Sequence, residues 1–541
     1  MLAGTLRWID VNILSLGREL RLSYLPPLMV YVAYGISGLT GIVGTFFVKD
    51  YLGLSASFLA ALGFWAGIPW ALKMPLGHVV DLIWRWKSWL VFLGAGLIAA
   101  SLGIMVGLLT DRAAMTAIMP AEAWFVLSAL LSPVGYVVQD VIADAMTVEA
   151  VPRVDASGKP MAQETRKLMN TTMQTLGRVA LIGGLALVAA LNLYLFAGVE
   201  ELSEPEKVAI YRQIYLTAMV IPFISVFGVA LAFLLKQRDL RRLVAQGVNL
   251  AEARKLLEVQ DERPAPNWWI LGGSVAFVAF SLGMGLSRIG YSQEIIFAGS
   301  LAIIAFLIAK LTRELEPEAR ATLVGTAVII FVFRAIPGPG EGLTWWMIDE
   351  LKFDQQFLAV LSLISSVLTL FGMFLFRRFM AVRSIGYVVG FLTLLGVALS
   401  LPIVGLIYGL HHWTIAATGG VVDARFIVVV NTALESPLGQ IAMIPMLAWI
   451  ANSAPQSLKA TYFAIMASFT NLALSASQLG TKYLNQVYTV SREIKDAATG
   501  AVVTPADYTQ LGELLIVQVA IALALPFAAI LVVRVLGLKS A

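Results

Sequence analysis

The sequence predicts an all-α protein that crosses a membrane many times, and three observations carry the prediction. Hydrophobic residues make up 59% of the 541 and charged residues only 13%, where a soluble protein of this length carries about a quarter charged. The apolar residues fall into blocks of about 20, long enough to cross a hydrocarbon core. Lys and Arg gather on alternate sides of those blocks, the asymmetry that orients membrane helices. No polar run of comparable length interrupts the pattern, so no large soluble domain is expected. The absence of cysteine excludes disulfides, thiol chemistry and Cys-ligated metals. Three histidines do not make a metal site, and neither a metal nor a cofactor is expected.

Residues 1–26 mix charged and apolar side chains (Arg7, Asp10, Arg18, Glu19, Arg21) and lack the core of a signal peptide. They read as an amphipathic helix on the inner membrane surface. Fourteen candidate spans follow: 27–47, 55–77, 88–109, 122–148, 170–196, 214–235, 268–288, 292–310, 321–348, 355–376, 384–408, 424–450, 456–480 and 512–536. With both termini inside, the inner segments hold 25 Lys/Arg and the outer loops 10. That excess predicts cytoplasmic termini. Residues 236–267 form a charged, helix-prone connector closed by Pro264 and Pro266.

An internal repeat organises the chain. TFFVKDYLGLSASFLA (45–60) recurs as TWWMIDELKFDQQFLA (344–359), an offset of 299. Both copies fall where one span ends and the next begins. The repeat pairs residues 27–235 with 321–541 as two six-helix halves and leaves 268–320 as an inserted pair of spans. Arg288 and Glu294 flank the outer turn of that pair and are expected to be exposed. Two such halves resemble the major facilitator fold, in which the site lies between the halves.

Two sets of residues carry candidate mechanism. Gly77, Asp81, Arg85 and Lys87 follow the second span and resemble the facilitator loop motif. There a carboxylate at a helix end takes charge-assisted hydrogen bonds and latches one face. A positive-inside anchor with an incidental Asp is the plainer reading. The second set is the charge inside the spans, which is expensive and usually functional. Lys73 and Asp144 lie roughly 6 Å from the inner end of their spans, and Asp140 and Arg178 roughly 12 Å. Asp140 and Asp144 are four apart and share a helix face. They form either a structural ion-pair cluster with Lys73 and Arg178, or a pair in which one Asp carries a proton. Arg334 and Glu435 lie near mid-membrane. Pro337-Gly338-Pro339-Gly340 must break the helix after Arg334 and free backbone groups that need partners. Trp345 and Trp346 follow, as a binding surface for an aromatic anion or as an interfacial belt. His411, His412 and Asp423 are the one grouping suited to an enzyme, and adjacent histidines rarely converge.

Three stretches carry a closer resemblance: IPWALKMPLGHVVD (68–81), QDVIADAMTVE (139–149) and LESPLGQIAMIPMLAWIANSAPQSLKATYFAIMASFTNLA (434–473). Together they resemble the folate–biopterin transporter family, a branch of the major facilitator superfamily. The resemblance implies proton-coupled transport of pteridine-type anions across a bacterial inner membrane by a monomer. The implied partners are the solute, protons and the bilayer, with no nucleic acid, and no enzyme activity is implied. By motif position it puts Lys73, Asp81, Asp140 and Asp144 in the functional set and lends weight to Glu435 and Gln440. Together with the charges read from the spans, Asp140, Asp144 and Glu435 are proton-coupling candidates, and Lys73, Arg178, Arg334, Trp345 and Gln440 are candidates for the substrate. Arg334 departs from the neutral polar residue expected there. A second resemblance, to the fourteen-span muropeptide permeases, rests on the Gln-Asp-x-x-x-Asp stretch. A receptor or assembly protein on the transporter fold is the remaining alternative.

Overall fold

The computed structural model describes residues 18–48, 52, 54–71, 73–152, 161–199, 202–257, 266, 268–286, 289–311, 316–376, 383–439, 459–495 and 502–540. The first span is α1 (Leu25–Gly35), a 3-10 stretch (Ile36–Thr40) and α2 (Gly41–Phe47). Then come α3 (Ala56–Ala71), α4 (Lys73–Leu82), α5 (Ser88–Thr110), the short α6 (Arg112–Ile118), α7 (Ala121–Ala150) and α8 (Gln163–Leu195). Next are α9 (Glu204–Ala218), α10 (Val220–Ala245), α11 (Leu250–Leu257), α12 (Trp268–Leu286) and α13 (Ser292–Leu311). The last third holds α14 (Pro317–Arg334), α15 (Glu341–Asp349), α16 (Gln355–Leu375), α17 (Ile385–Ile407), the short α18 (Leu410–Thr418) and α19 (Ala424–Glu435). It ends with α20 (Lys459–Val487) and α21 (Leu511–Val535). A two-stranded antiparallel hairpin, β1 (Ile494–Lys495) and β2 (Val502–Thr504), joins these last two helices and pairs Ile494 with Thr504.

Eight stretches of described helix are long and apolar enough to cross a membrane, and three shorter ones are apolar. The count of fourteen expected from the sequence is not reached by that measure. The ninth expected span is divided into α14 and α15, and α19 ends at Glu435. The repeat offset of 299 carries the first residue of α3, Ala56, onto the first residue of α16, Gln355.

The N-terminal helices pack as a bundle in which α1 contacts α7, α8 and α10, and α5 lies along α7. The close approach of α5 and α7 requires glycine. A Cβ on Gly94 would stand 2.7 Å from the Gly135 carbonyl oxygen, and one on Gly135 equally close to that of Gly94. Small residues that let backbones touch drive helix association in lipid, where no hydrophobic force acts between helices. Among the C-terminal helices, α21 packs on α14 and α17. Two seams join the bundles, α3 against α20 and α8 against α16.

The break after Arg334 is present, and neighbouring helices satisfy its freed backbone groups. The Gly338 N–H donates to Thr481 Oγ1 (2.9 Å) and Ser477 donates to the Ile336 carbonyl (2.7 Å). Asn485 and Gln518 donate to the carbonyls of Pro339 and Pro337, both at 3.2 Å. Gly340 takes φ +77° to turn the chain into α15, a conformation open to glycine without penalty.

Glu294 is not simply exposed, as its place beside a turn suggested; Arg288 lies outside the described residues. Lys482 of α20 reaches Glu294 at 2.9 Å, and Tyr483 donates to the same oxygen. Beside it, Gln293 accepts from Lys482 (3.0 Å) and donates to the Ala61 carbonyl on α3 (3.2 Å). The start of α13 therefore ties α3 to α20 across one seam. Beneath the tie, Phe64, Ile68, Ile296 and Leu479 form a buried cluster. Glu294→Gln is expected to lower stability by about 2 kcal/mol, the worth of a hydrogen bond to a charged group. A thermal melt checks this, and an unchanged melting temperature contradicts it.

Candidate functional site

The second expected span holds α3 and α4, on either side of Leu72, which lies outside the described residues. Asn471 of α20 donates to the Trp70 carbonyl at 3.2 Å. Lys73 is the first residue of α4, and its side chain reaches α7. On α7, Tyr136, Asp140 and Asp144 recur every fourth residue and so line one face.

Lys73 stands between the two carboxylates, 2.6 Å from Asp140 and 2.7 Å from Asp144. The side chains of Lys73 and Asp140 are only 17% and 12% exposed, whereas Asp144 is 40% exposed. Tyr31 of α1 donates to the other oxygen of Asp144 at 2.6 Å. Tyr34 lies one turn further along, its ring 5.4 Å from that of Trp70 and 5.5 Å from that of Tyr136. Three charges, two of them acidic and one of these half-exposed, thus sit beside a cluster of aromatic rings. Charges at this depth persist only when paired and hydrogen-bonded. The neighbouring Gln139 serves the scaffold. It donates to the Val91 carbonyl on α5 (3.3 Å) and accepts from Ser225 on α10 (2.9 Å).

Arg178 of α8 lies within electrostatic reach of Asp140 and of Arg334, the last residue of α14. Neither arginine makes an ion pair among the described residues. The buried Nε of Arg334 has no hydrogen-bond partner among them. Two cations, one from each bundle, therefore lie within electrostatic reach of each other, and neither is ion-paired among the described residues.

The other predicted residues are placed as follows. Trp345 is 1% exposed, and the Arg492 guanidinium covers its ring at 5.1 Å, so it is not part of an interfacial belt. Arg492 also donates to the Val48 carbonyl at the end of the first span. Glu435 closes α19, is exposed, and accepts a hydrogen bond from Asn431 at 3.4 Å. It does not join the Lys73 cluster. Gln440 lies outside the described residues. Gly77 and Asp81 belong to helix α4 rather than to a loop, and Arg85 to a 3-10 turn; the side chains of Asp81 and Arg85 are not described. Lys87 forms the one described contact of this motif across helices, 2.7 Å from Glu149 at the end of α7. Its ammonium also lies 4.0 Å from the Trp84 ring centre.

The rings of His411 and His412 lie 4.0 Å apart on α18, tilted by 42°. Burial, then the neighbouring imidazole, holds His411 below its ordinary pKa. Asp423 is used as the cap of α19, accepting from the Phe426 N–H at 2.8 Å.

Sequence reasoning missed Tyr31, Tyr34, Tyr136 and Glu149. The signal for Tyr136 was available in its spacing from Asp140. Tyr31 and Tyr34 share a face of α1 but are embedded in an apolar run that conceals their partner.

A bundle of membrane-spanning helices with a charged cluster at depth is the form of a membrane transporter, and comparison with known proteins agrees. A model of the BT1 family matches residues 34–538. The chain belongs to this family, the folate–biopterin transporters. The folate-biopterin transporter of Synechocystis sp. (strain ATCC 27184 / PCC 6803 / Kazusa) is 23% identical over 450 residues, covering 82% of this chain and 71% of that one. Among solved structures, an auto-inhibited peptide transporter of the POT family superposes with TM-score 0.58 at 13% identity, covering 96% of this chain and 97% of that one. The nucleoside transporter NupG superposes with TM-score 0.53 at 11% identity, covering 94% and 99%. These similarities establish the major facilitator fold.

Proposed function

We propose that this chain is a proton-coupled secondary transporter of a small organic anion of the pteridine or folate type, working by alternating access. The observation that carries the reading is Lys73 held between Asp140 and Asp144 inside a transporter fold. The cluster bears one net negative charge. A proton on either carboxylate neutralises it and loosens Lys73, which is then free to hold an anionic solute. Two carboxylates on one face favour such uptake, because ionising both is costly. Arg178 and Arg334 would take the carboxylate of the solute, one from each bundle, so that binding draws the bundles together.

The halves are taken as residues 27–235 and 321–541, with 236–267 as connector and 268–320 as the inserted pair. The bonds Arg492–Val48, Gln355–Tyr211 and Gln293–Ala61 cross between helices at one end of the molecule. Those contacts would be a closed gate that parts in the other state, and Trp345 would be part of its seal. Lys87–Glu149 would brace the opposite end. The proposed setting is a bacterial inner membrane with both termini cytoplasmic, and the working unit is a monomer.

Uptake into proteoliposomes tests the proposal. A pH gradient is imposed and labelled folate, biopterin or a muropeptide is offered. Saturable folate or biopterin uptake that collapses with the gradient, and is lost in Asp140→Asn, is the expected result. Uptake of the muropeptide alone would favour the permease alternative. Binding without movement, unchanged in Asp140→Asn, would favour a receptor.

A further inference from the structure

The segment after α21 folds back on its own bundle. The chain turns at Gly537, which takes φ +67°, and the Leu538 N–H returns to the Val533 carbonyl at 2.9 Å. Two glycines receive the residues that follow. A Cβ on Gly325 of α14 would collide with the Lys539 carbonyl oxygen, and one on Gly386 of α17 would stand 2.9 Å from Ser540 Oγ. The segment so held walls part of a cavity of about 540 Å³ between α14, α17 and α21. That cavity is polar at one end and apolar along its length. Ser384, Arg534 and Ser540 line it where α17 begins and α21 ends, and Phe391, Leu394, Phe527 and Ile530 line it further in. No acidic side chain lines it. A second cation stands at the polar end, since the Arg383 guanidinium lies 5.0 Å from the ring of Tyr387, another lining residue. Neither Arg383 nor Arg534 forms an ion pair among the described residues.

At 1.5 Å per residue the wall from Ser384 to Leu394 runs about 15 Å, half the thickness of a hydrocarbon core. Other helices make the two seams between the bundles, and Leu394 and Phe527 are exposed, so the cavity opens on the lipid-facing side of the C-terminal bundle. None of Lys73, Asp140, Asp144, Arg178 and Arg334 lines it. We propose that it is a site for one anionic phospholipid, with the phosphate on Arg534 and Ser384 and one acyl chain along the apolar length. A guanidinium matches a phosphate in charge and in the geometry of its N–H pair. Ser384 caps α17 by accepting the Tyr387 N–H at 3.3 Å, which leaves its O–H to donate, and the start of α17 adds the positive end of a helix dipole. A free phosphate would leave the apolar length empty, and a neutral chain would leave the cations without an anion. The lipid touches α17, α21 and the returning segment together, so it braces the start of one helix against the end of the other. On the orientation proposed above it belongs to the inner leaflet, where basic residues meet anionic headgroups.

Lipid titration of the purified, delipidated full chain in detergent tests the site, with native mass spectrometry reading stoichiometry and affinity beside a thermal melt. The probes are dioleoyl-phosphatidylglycerol, dioleoyl-phosphatidylcholine and inorganic phosphate. The variants are Arg534→Gln at the polar end, Gly390→Leu in the apolar length, and Arg241→Gln, an exposed cation of α10 away from the cavity, as control. A Cβ on Gly390 meets Phe527 and Ile530 only at 3.8 and 3.9 Å, so the rest of a leucine side chain takes up the space meant for the acyl chain. The wild type is expected to hold one phosphatidylglycerol that raises its melting temperature. Arg534→Gln and Gly390→Leu should each weaken that binding about tenfold, the loss of one charge-assisted contact or of its equivalent in apolar burial, while Arg241→Gln leaves it unchanged. Equal binding of phosphatidylcholine, or an equal melting shift with inorganic phosphate, would overturn the anionic-lipid assignment. An equal loss in Arg241→Gln would reduce the effect to diffuse attraction and overturn the site. If Gly390→Leu melts low without lipid, Arg534→Gln decides alone, and wild-type affinity there overturns the proposal. Failure of folate uptake would not touch it, because no part of the argument uses the solute.

Discussion

Lys73→Met is expected to destabilise the protein by about 3–5 kcal/mol, the usual cost of removing one partner from a buried ion pair. The size of the loss follows from what stays behind. Asp140 is 12% exposed and would face Arg178 only at a distance. Asp144 is 40% exposed and retains Tyr31, so it is left less exposed to the penalty. Lys73→Met combined with Asp140→Leu should therefore recover most of the stability, because a buried pair replaced by apolar side chains is often neutral. The same double variant should remain inactive in uptake. Thermal melts of the two singles and the double form a cycle, and their non-additivity measures the pairing. Simple additivity would mean that Lys73 and Asp140 do not depend on one another. Recovery of uptake together with stability would remove the cluster from the transport mechanism.

The parts of this site that sequence could show are those written in local spacing. Asp140 and Asp144 share a face because they are four apart, and the Pro-Gly-Pro-Gly run after Arg334 has no helical solution. The repeat also fell on helix starts, at Ala56 and Gln355. Pairing over long separation was not legible. Nothing near Lys87 names Glu149, 62 residues away, as its partner, and nothing near Lys482 names Glu294, 188 residues away. Both acids looked incidental because each is ordinary where it stands. Gly77 to Asp81 read as a loop because glycine and a charge follow an apolar run, yet packing against α7 and α20 keeps α4 helical to Leu82. Helix propensity is a weak prior that tertiary contacts override.

Arg334→Gln separates binding from stability, and the two are expected to move in opposite directions. The guanidinium lies near Arg178, has a buried Nε without a partner among the described residues, and ends a helix broken by Pro337. In the empty protein it contributes like-charge repulsion and an uncompensated desolvation cost, so its removal should raise the melting temperature. A carboxylate brought between the two arginines would reverse both terms. It would make charge-assisted hydrogen bonds worth about 1.5–3 kcal/mol, so the variant should bind folate about ten- to a hundredfold more weakly. The matching change at Arg178 should cost a similar factor. If both arginines hold one carboxylate, the double variant should lose less than the product of the singles, since residues sharing a partner are coupled. Melting curves with and without folate read both effects in one experiment. A variant that melts lower when empty would show Arg334 to be a structural cation with a role in packing. A variant that melts higher and keeps its affinity would leave the excess positive charge unrelated to the solute.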